Sequence, residues 1–95
     1  MAAYVIVDVK IKDPVAYENY KKMTPGSLAA DGGRFVVRGG KSEVLEGPWQ
    51  PGRIVVLEFD SAERARAWWD SEEYREARSL RQRVADTNMI LVEGV

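Results

Sequence analysis

Gly32-Gly33-Arg34-Phe35-Val36-Val37-Arg38-Gly39-Gly40 is a short β-rich run fenced at each end by a glycine pair, and its reading decides the fold. β-branched and aromatic side chains between turn-forming glycines make a strand of Arg34–Arg38. A period of two places Phe35 and Val37 on one face and Arg34, Val36 and Arg38 on the other. Gly39-Gly40 turns the chain, residues 42–46 read as a hairpin arm, and Gly47-Pro48-Trp49-Gln50-Pro51-Gly52 reads as an irregular loop. Arg53–Phe59 follows as a nearly continuous apolar strand, the pattern of a central strand covered on both faces.

Upstream, Ala3–Ile11 alternates: Ala3, Val5, Val7, Val9 and Ile11 are apolar, and Tyr4, Ile6, Asp8 and Lys10 are mixed. Asp13-Pro14 opens a helix, with Asp13 as cap and Pro14 where its missing N–H is no loss. That helix carries Tyr17, Tyr20 and Met23; Thr24-Pro25-Gly26 is expected to kink or break it, and residues 27–31 to form a last helical piece. Downstream, Ser61 caps a helix running through Trp68 and Trp69. A second cap, Asp70 or Ser71, restarts it with Tyr74, Ala77, Leu80 and Val84 on one side, and residues 89–95 form the last strand.

The order is β, α, β, β, α, β over one domain, residues 1–95. Right-handed crossovers then give an α+β, ferredoxin-like βαββαβ fold, a four-stranded antiparallel sheet with the helices on one face. Val5, Val7, Val9, Phe35, Val37, Val55, Leu57 and Phe59 are expected under the helices. The opposite face would carry Tyr4, Ile6, Val36, Ile54, Val56, Ile90 and Val92, an apolar area too large to leave in water. The simplest cover is the same face of a second copy, a homodimer paired sheet to sheet.

Composition narrows the chemistry. Fourteen basic and fifteen acidic residues are mixed along the chain, which gives no field to draw in nucleic acid or an anionic membrane. Without cysteine there is no disulfide or thiolate, and without histidine the commonest metal ligand and general base are both missing. Asp8 interrupts the first apolar run too early for a signal-peptide core, and no run approaches a membrane span, so a cytoplasmic location is the default expectation.

Asp13-Pro14 with Tyr17 and Tyr20, then Gly32-Gly33-Arg34-Phe35, Arg38-Gly39-Gly40, Glu46-Gly47, Trp49, Arg53, Glu58-Phe59, Ala65, Trp68-Trp69, Ser71 and Glu73-Tyr74 together resemble the family known as domain of unknown function 1330. The resemblance covers nearly the whole chain and implies a dimeric α/β-barrel, two ferredoxin-like subunits pairing their sheets. That superfamily holds cofactor-independent monooxygenases, haem-degrading enzymes, isomerases, peroxidase-like proteins and ligand-sensing domains, and fold-level analogy does not choose among them. A chain without histidine lacks the usual axial haem ligand, and no cofactor is expected.

Two groups of residues are candidates for binding. Asp8, Arg34, Arg38 and Glu58 share the parity of the open face. They read either as ion pairs fixing the seam, or as a rim site where Arg38 anchors a carboxylate or enolate and Asp8 or Glu58 moves a proton. The second group is a cleft between sheet and helices lined by Tyr17, Tyr20, Trp68 or Trp69, and Tyr74, which is either core or a pocket for a small planar ligand. The resemblance implies that Trp69 rather than Trp68 turns inward, and that relatives oxygenating aromatic rings hold substrate in such a cleft. Tyr20, Arg38, Trp69 and Tyr74 are the residues singled out there. Arg75, Arg78, Arg81 and Arg83 alternate with acidic residues and read as a solvated helix face, and the glycine pairs as turns rather than a phosphate loop.

The expected molecule is a homodimer holding a small anionic or aromatic metabolite. The alternatives are cofactor-free oxygenation or isomerisation, and a structural or sensing module without catalysis.

Overall fold

In the computed structural model, which describes Met1–Val95, the alternating run Ala3–Ile11 becomes strand β1, with Ala3, Val5, Val7 and Val9 buried. Helix α1 spans Pro14–Ala30 and is capped by the Asp13 carboxylate, which accepts from the Ala16 N–H. Strands β2, Arg34–Arg38, and β3, Arg53–Phe59, follow. Helices α2, Ala62–Asp70, and α3, Glu72–Val84, lead without a loop into β4, Ala85–Glu93. The Ser61 and Ser71 hydroxyls cap α2 and α3, accepting from the N–H groups of Arg64 and Tyr74.

The sheet order is β2-β3-β1-β4, and every neighbouring pair is antiparallel. This is the ferredoxin-like arrangement, with β1 and β3 central. The dry faces of β1 and β3 pack on Tyr17, Tyr20 and Leu28 of α1, Ala65 and Trp68 of α2, and Tyr74, Ala77 and Val84 of α3. The other sheet face stays open in the subunit, with Ile90 56% and Val92 42% exposed.

Four expectations are corrected. Helix α1 is not broken at Thr24-Pro25-Gly26 but runs through to Ala30. The one backbone bond that Pro25 removes leaves the Lys21 carbonyl free, and Arg38 Nη2 donates to it at 2.9 Å. Residues 42–46 form no strand. The last strand starts at Ala85, four residues before the expected start, because α3 ends directly into it.

The fourth correction concerns the stretch that set the fold. Arg34 lies opposite Glu58 and Phe35 opposite Leu57, but Val37 lies opposite Val56 and Arg38 opposite Val55. Val36 is thus an extra residue, a β-bulge, and parity reverses beyond it. Val37 leaves the helix-covered set and is 37% exposed, while Arg38 moves off the open face onto the helix side.

Candidate functional site

The helix side of the sheet holds two clefts that differ in how full they are. Beneath α1, Tyr17 and Tyr20 lie 5.2 Å apart, and the Tyr20 and Tyr74 hydroxyls share a hydrogen bond of 2.8 Å. Tyr74 stacks on Trp68 at 4.1 Å, and the Trp68 Nε1–H donates to Ser27 Oγ at 3.1 Å. Arg53 Nη1 donates to the Tyr17 hydroxyl at 3.0 Å. Burial holds the Tyr17 and Tyr20 phenols above the usual range, with Arg53 pulling the former partly back. About 20 Å³ is left between these groups, room for about one water. The aromatics fill this space with each other.

The second cleft lies between α2, α3 and the β1–β4 side of the sheet and has a volume of about 530 Å³. Val5, Met89 and Leu91 form its apolar floor, Trp69 and Ala65 a wall, and Arg81 and Thr87 one end. Arg78 fixes the wall: its guanidinium sits 4.4 Å from the Trp69 ring centre and donates to the Trp69 carbonyl at 2.8 Å. At Arg81, Gln82 and Thr87 the cleft meets a polar one of about 360 Å³.

The residues singled out from sequence are distributed among these features and the open face. Tyr20 and Arg38 both border the filled cleft, Tyr74 lies behind Tyr20 at its hydroxyl, and Trp69 is absent from it. Trp68, not Trp69, turns inward: Trp68 is fully buried, whereas Trp69 is 38% exposed and borders the open cleft. The α2 face that meets the core is set by Ala65 and Trp68, three residues apart, and Trp69 falls beside it.

The polar set of the open face does not form one site either. Glu58 accepts from the Tyr4 hydroxyl at 2.9 Å and pairs with Arg34, and this hydrogen bond raises the Tyr4 phenol above its usual range. Asp8 instead accepts from Trp49 Nε1 at 2.9 Å and from the Gly52 N–H at 2.8 Å, fastening the 39–52 segment to β1. With Arg38 on the helix side, no rim site joining Arg38 to Asp8 or Glu58 exists in the subunit.

The solvated face expected of α3 does not include Arg81, which is 5% exposed and bonds through Nε to the Tyr74 hydroxyl at 3.2 Å. A signal was present, since Tyr74, Ala77, Arg81 and Val84 follow helical spacing and put an arginine where the periodicity asks for an apolar residue. No cluster of acidic side chains suited to a metal ion is present, and no helix is long and apolar enough to cross a membrane.

The family model described as Domain of unknown function (DUF1330) matches residues 2–95. A search of the curated proteins finds no match. Among solved structures, a protein of unknown function from Rhodopseudomonas palustris superposes with a TM-score of 0.78 at 21% identity, covering 99% of this chain and 82% of the other. A dimeric ferredoxin-like protein of unknown function from Jannaschia sp. CCS1 gives 0.73 at 11% identity, with 99% and 100% coverage. SnoaB, a cofactor-independent oxygenase from Streptomyces nogalater, gives 0.68 at 11% identity, with 99% and 93% coverage. At these identities the likeness is one of fold.

Proposed function

The chain belongs to the DUF1330 family, and from that premise we propose that it is a homodimeric protein that binds a small anionic or aromatic metabolite in the open helix–sheet cleft. The observation that carries this reading is the contrast in volume. The cleft at Trp69 offers about 530 Å³ with an apolar floor, within the range of small-molecule sites, while the space under α1 is closed by tyrosines. A purely structural pair would have no need of the larger cleft.

The dimer rests on the open sheet face. Tyr4, Ile6, Ile54 and Val56 are only partly covered within the subunit, Ile90 and Val92 are exposed, and an apolar face of this kind is stable when a copy of itself covers it. The Jannaschia relative of the same fold is described as dimeric. Sheet-to-sheet pairing leaves the helix side, and hence the cleft, free on both subunits.

A thermal-shift screen of small carboxylates and phenols tests the binding. A hit that raises the midpoint in the parent protein, and fails to do so once Leu91→Trp fills the floor, supports it. Hits that survive that substitution, or no hit at all, reject it.

One observation favours a second reading, turnover without a cofactor: SnoaB, of the same fold, is a cofactor-independent oxygenase. Here the buried hydroxyls of Tyr20 and Tyr74 run to Arg81 at the end of the open cleft. A phenol bound there would have a cation beside its developing anion. Dioxygen uptake by the protein mixed with a phenolic hit is the measurement, and binding without uptake leaves the carrier or sensor reading in place.

A further inference from the structure

Resting on the cleft reading above, we infer that the cleft between α2, α3 and β4 is built for a planar apolar molecule bearing an oxyanion, a carboxylate or its equivalent, with Arg81 and Thr87 as the oxyanion seat.

Arg81 is 5% exposed, yet no acidic group pairs with it; the four ion pairs of the chain join Lys12 to Asp86, Lys21 to Glu18, Arg34 to Glu58 and Arg78 to Asp70. Its only side-chain hydrogen bond within the protein runs from Nε to Tyr74, so both terminal nitrogens lack a partner. Those nitrogens are not sealed off but keep contact with the cleft, and the guanidinium fork matches a carboxylate bidentately.

Thr87 supplies an independent second observation. Its Oγ1 is the one buried side-chain oxygen or nitrogen of the chain without a hydrogen-bond partner, and Thr87 stands beside Arg81 in the lining of both clefts. The unpaired terminal nitrogens of Arg81, which reach the cleft, and the Thr87 hydroxyl, which is closed off beside it, thus lie at the same end of a cleft whose other end is apolar. Asp70 is the sole carboxylate lining the larger cleft, and Arg78 engages it at 3.7 Å, while Arg66 adds a second positive charge. Asp86 lines the adjoining cleft at the Arg81 end and is engaged by Lys12 at 3.5 Å, so each carboxylate has a cation of its own and Arg81 and Arg66 are left for an anion.

An oxyanion seated there accepts from the two terminal nitrogens of Arg81, and a χ1 rotation of Thr87 turns its closed-off hydroxyl to donate to the same group. The ring it carries lies over Val5, Met89 and Leu91 beside the Trp69 indole. The charged end is read by hydrogen bonds and the ring by buried area, so a neutral analogue of the same shape loses only the first contribution.

The test compares 2-naphthoate with 2-naphthamide by titration calorimetry on the full chain. The parent protein is expected to bind the carboxylate at least about tenfold more tightly, the scale of one charge-assisted hydrogen-bonding pair. Arg81→Met should remove that preference, and Thr87→Val should weaken naphthoate alone by about three- to tenfold. Thr87→Val also removes an unsatisfied hydroxyl, so its melting midpoint without ligand should be equal to or above that of the parent, which separates lost binding from lost fold. Equal affinity for both probes, unchanged by either substitution, overturns the oxyanion seat and leaves the cleft reading standing. Failure of both probes to bind overturns the two together.

Discussion

Arg38 donates from Nη2 to the backbone carbonyl of Lys21 at 2.9 Å, and Lys21 is the residue whose carbonyl Pro25 cannot serve. A single side chain on β2 thereby completes the hydrogen bonding of a helix that carries a proline in its interior. The β-bulge at Val36 is what allows it, because without the reversal of parity Arg38 would project from the other face. The same guanidinium lies 4.2 Å from the Phe35 ring centre, which holds it in place.

This relationship predicts coupling between Arg38 and Pro25. Arg38→Ala alone should destabilise the fold by about 0.5–1.5 kcal/mol, the value of one hydrogen bond of this kind. Pro25→Ala restores the N–H donor, and in that background the cost of Arg38→Ala should fall to what its contact with the Phe35 ring contributes. A urea-denaturation double-mutant cycle reads the coupling, and strict additivity would reject the account.

The Asp8 carboxylate should govern the 39–52 segment rather than any proton transfer. Asp8→Ala removes the acceptor of both Trp49 and Gly52, a local loss of about 1.5–3 kcal/mol for bonds to a charged group. Tryptic cleavage after Lys41 should accelerate while the far-ultraviolet circular dichroism stays that of the parent. Asp8→Asn keeps one carbonyl oxygen and should give intermediate protection. A cleavage rate unchanged in Asp8→Ala would show that the segment is held by something else.

At the open sheet face, Ile90→Asp places a carboxylate where the second copy is proposed to sit. Burying that charge without a partner should weaken pairing by about 3 kcal/mol, roughly a hundredfold, and leave the subunit folded. Sedimentation at micromolar concentration should then report single subunits for the variant and pairs for the parent. A parent that sediments as a single subunit would contradict the proposed dimer.

Alkaline stability follows from the buried phenols. Tyr17 and Tyr20 are held above the usual range by burial, and Tyr4 by its hydrogen bond to Glu58. In the unfolded chain these hydroxyls ionise near pH 10, and in the folded state they do so later. Between those values the folded protein binds more protons than the unfolded one, so stability falls as pH rises above about 10 and is independent of these groups below it. The urea midpoint, followed together with tyrosinate absorbance, should show this order. Full ionisation of all tyrosines near pH 10 with no loss of structure would contradict it.

The architecture was legible in the sequence because three local signals agreed: the period of two in Ala3–Ile11, the Asp13-Pro14 helix start and the caps at Ser61 and at Asp70 or Ser71, of which the structure uses Ser71. What escaped depended on partners distant in sequence. Nothing in Arg34-Phe35-Val36-Val37-Arg38 marks Val36 as a bulge, since no glycine or proline interrupts the run, and the parity error carried Arg38 to the wrong face. The continuity of α1 through Pro25 depends on a donor from β2, beyond the reach of local propensity. Trp68 and Trp69 are neighbours, and a rotation of about 100° between them decides which is core. For the site, helical spacing of the aromatics does place Tyr20 and Tyr74 on the helix side, yet Tyr20 borders the filled space and Tyr74 lies behind it. The charge pattern of α3 hid Arg81 among exposed arginines.

The central claim is that small molecules enter at Trp69, Arg81 and Thr87 rather than beneath α1, and an amide-resolved nuclear magnetic resonance titration with 2-naphthoate tests it most directly. Saturable shifts should concentrate at Trp69, Arg81, Thr87 and Leu91, with Tyr17, Lys21 and Arg53 unmoved. Shifts centred on Tyr17 and Arg53, with the β4 residues silent, would contradict it.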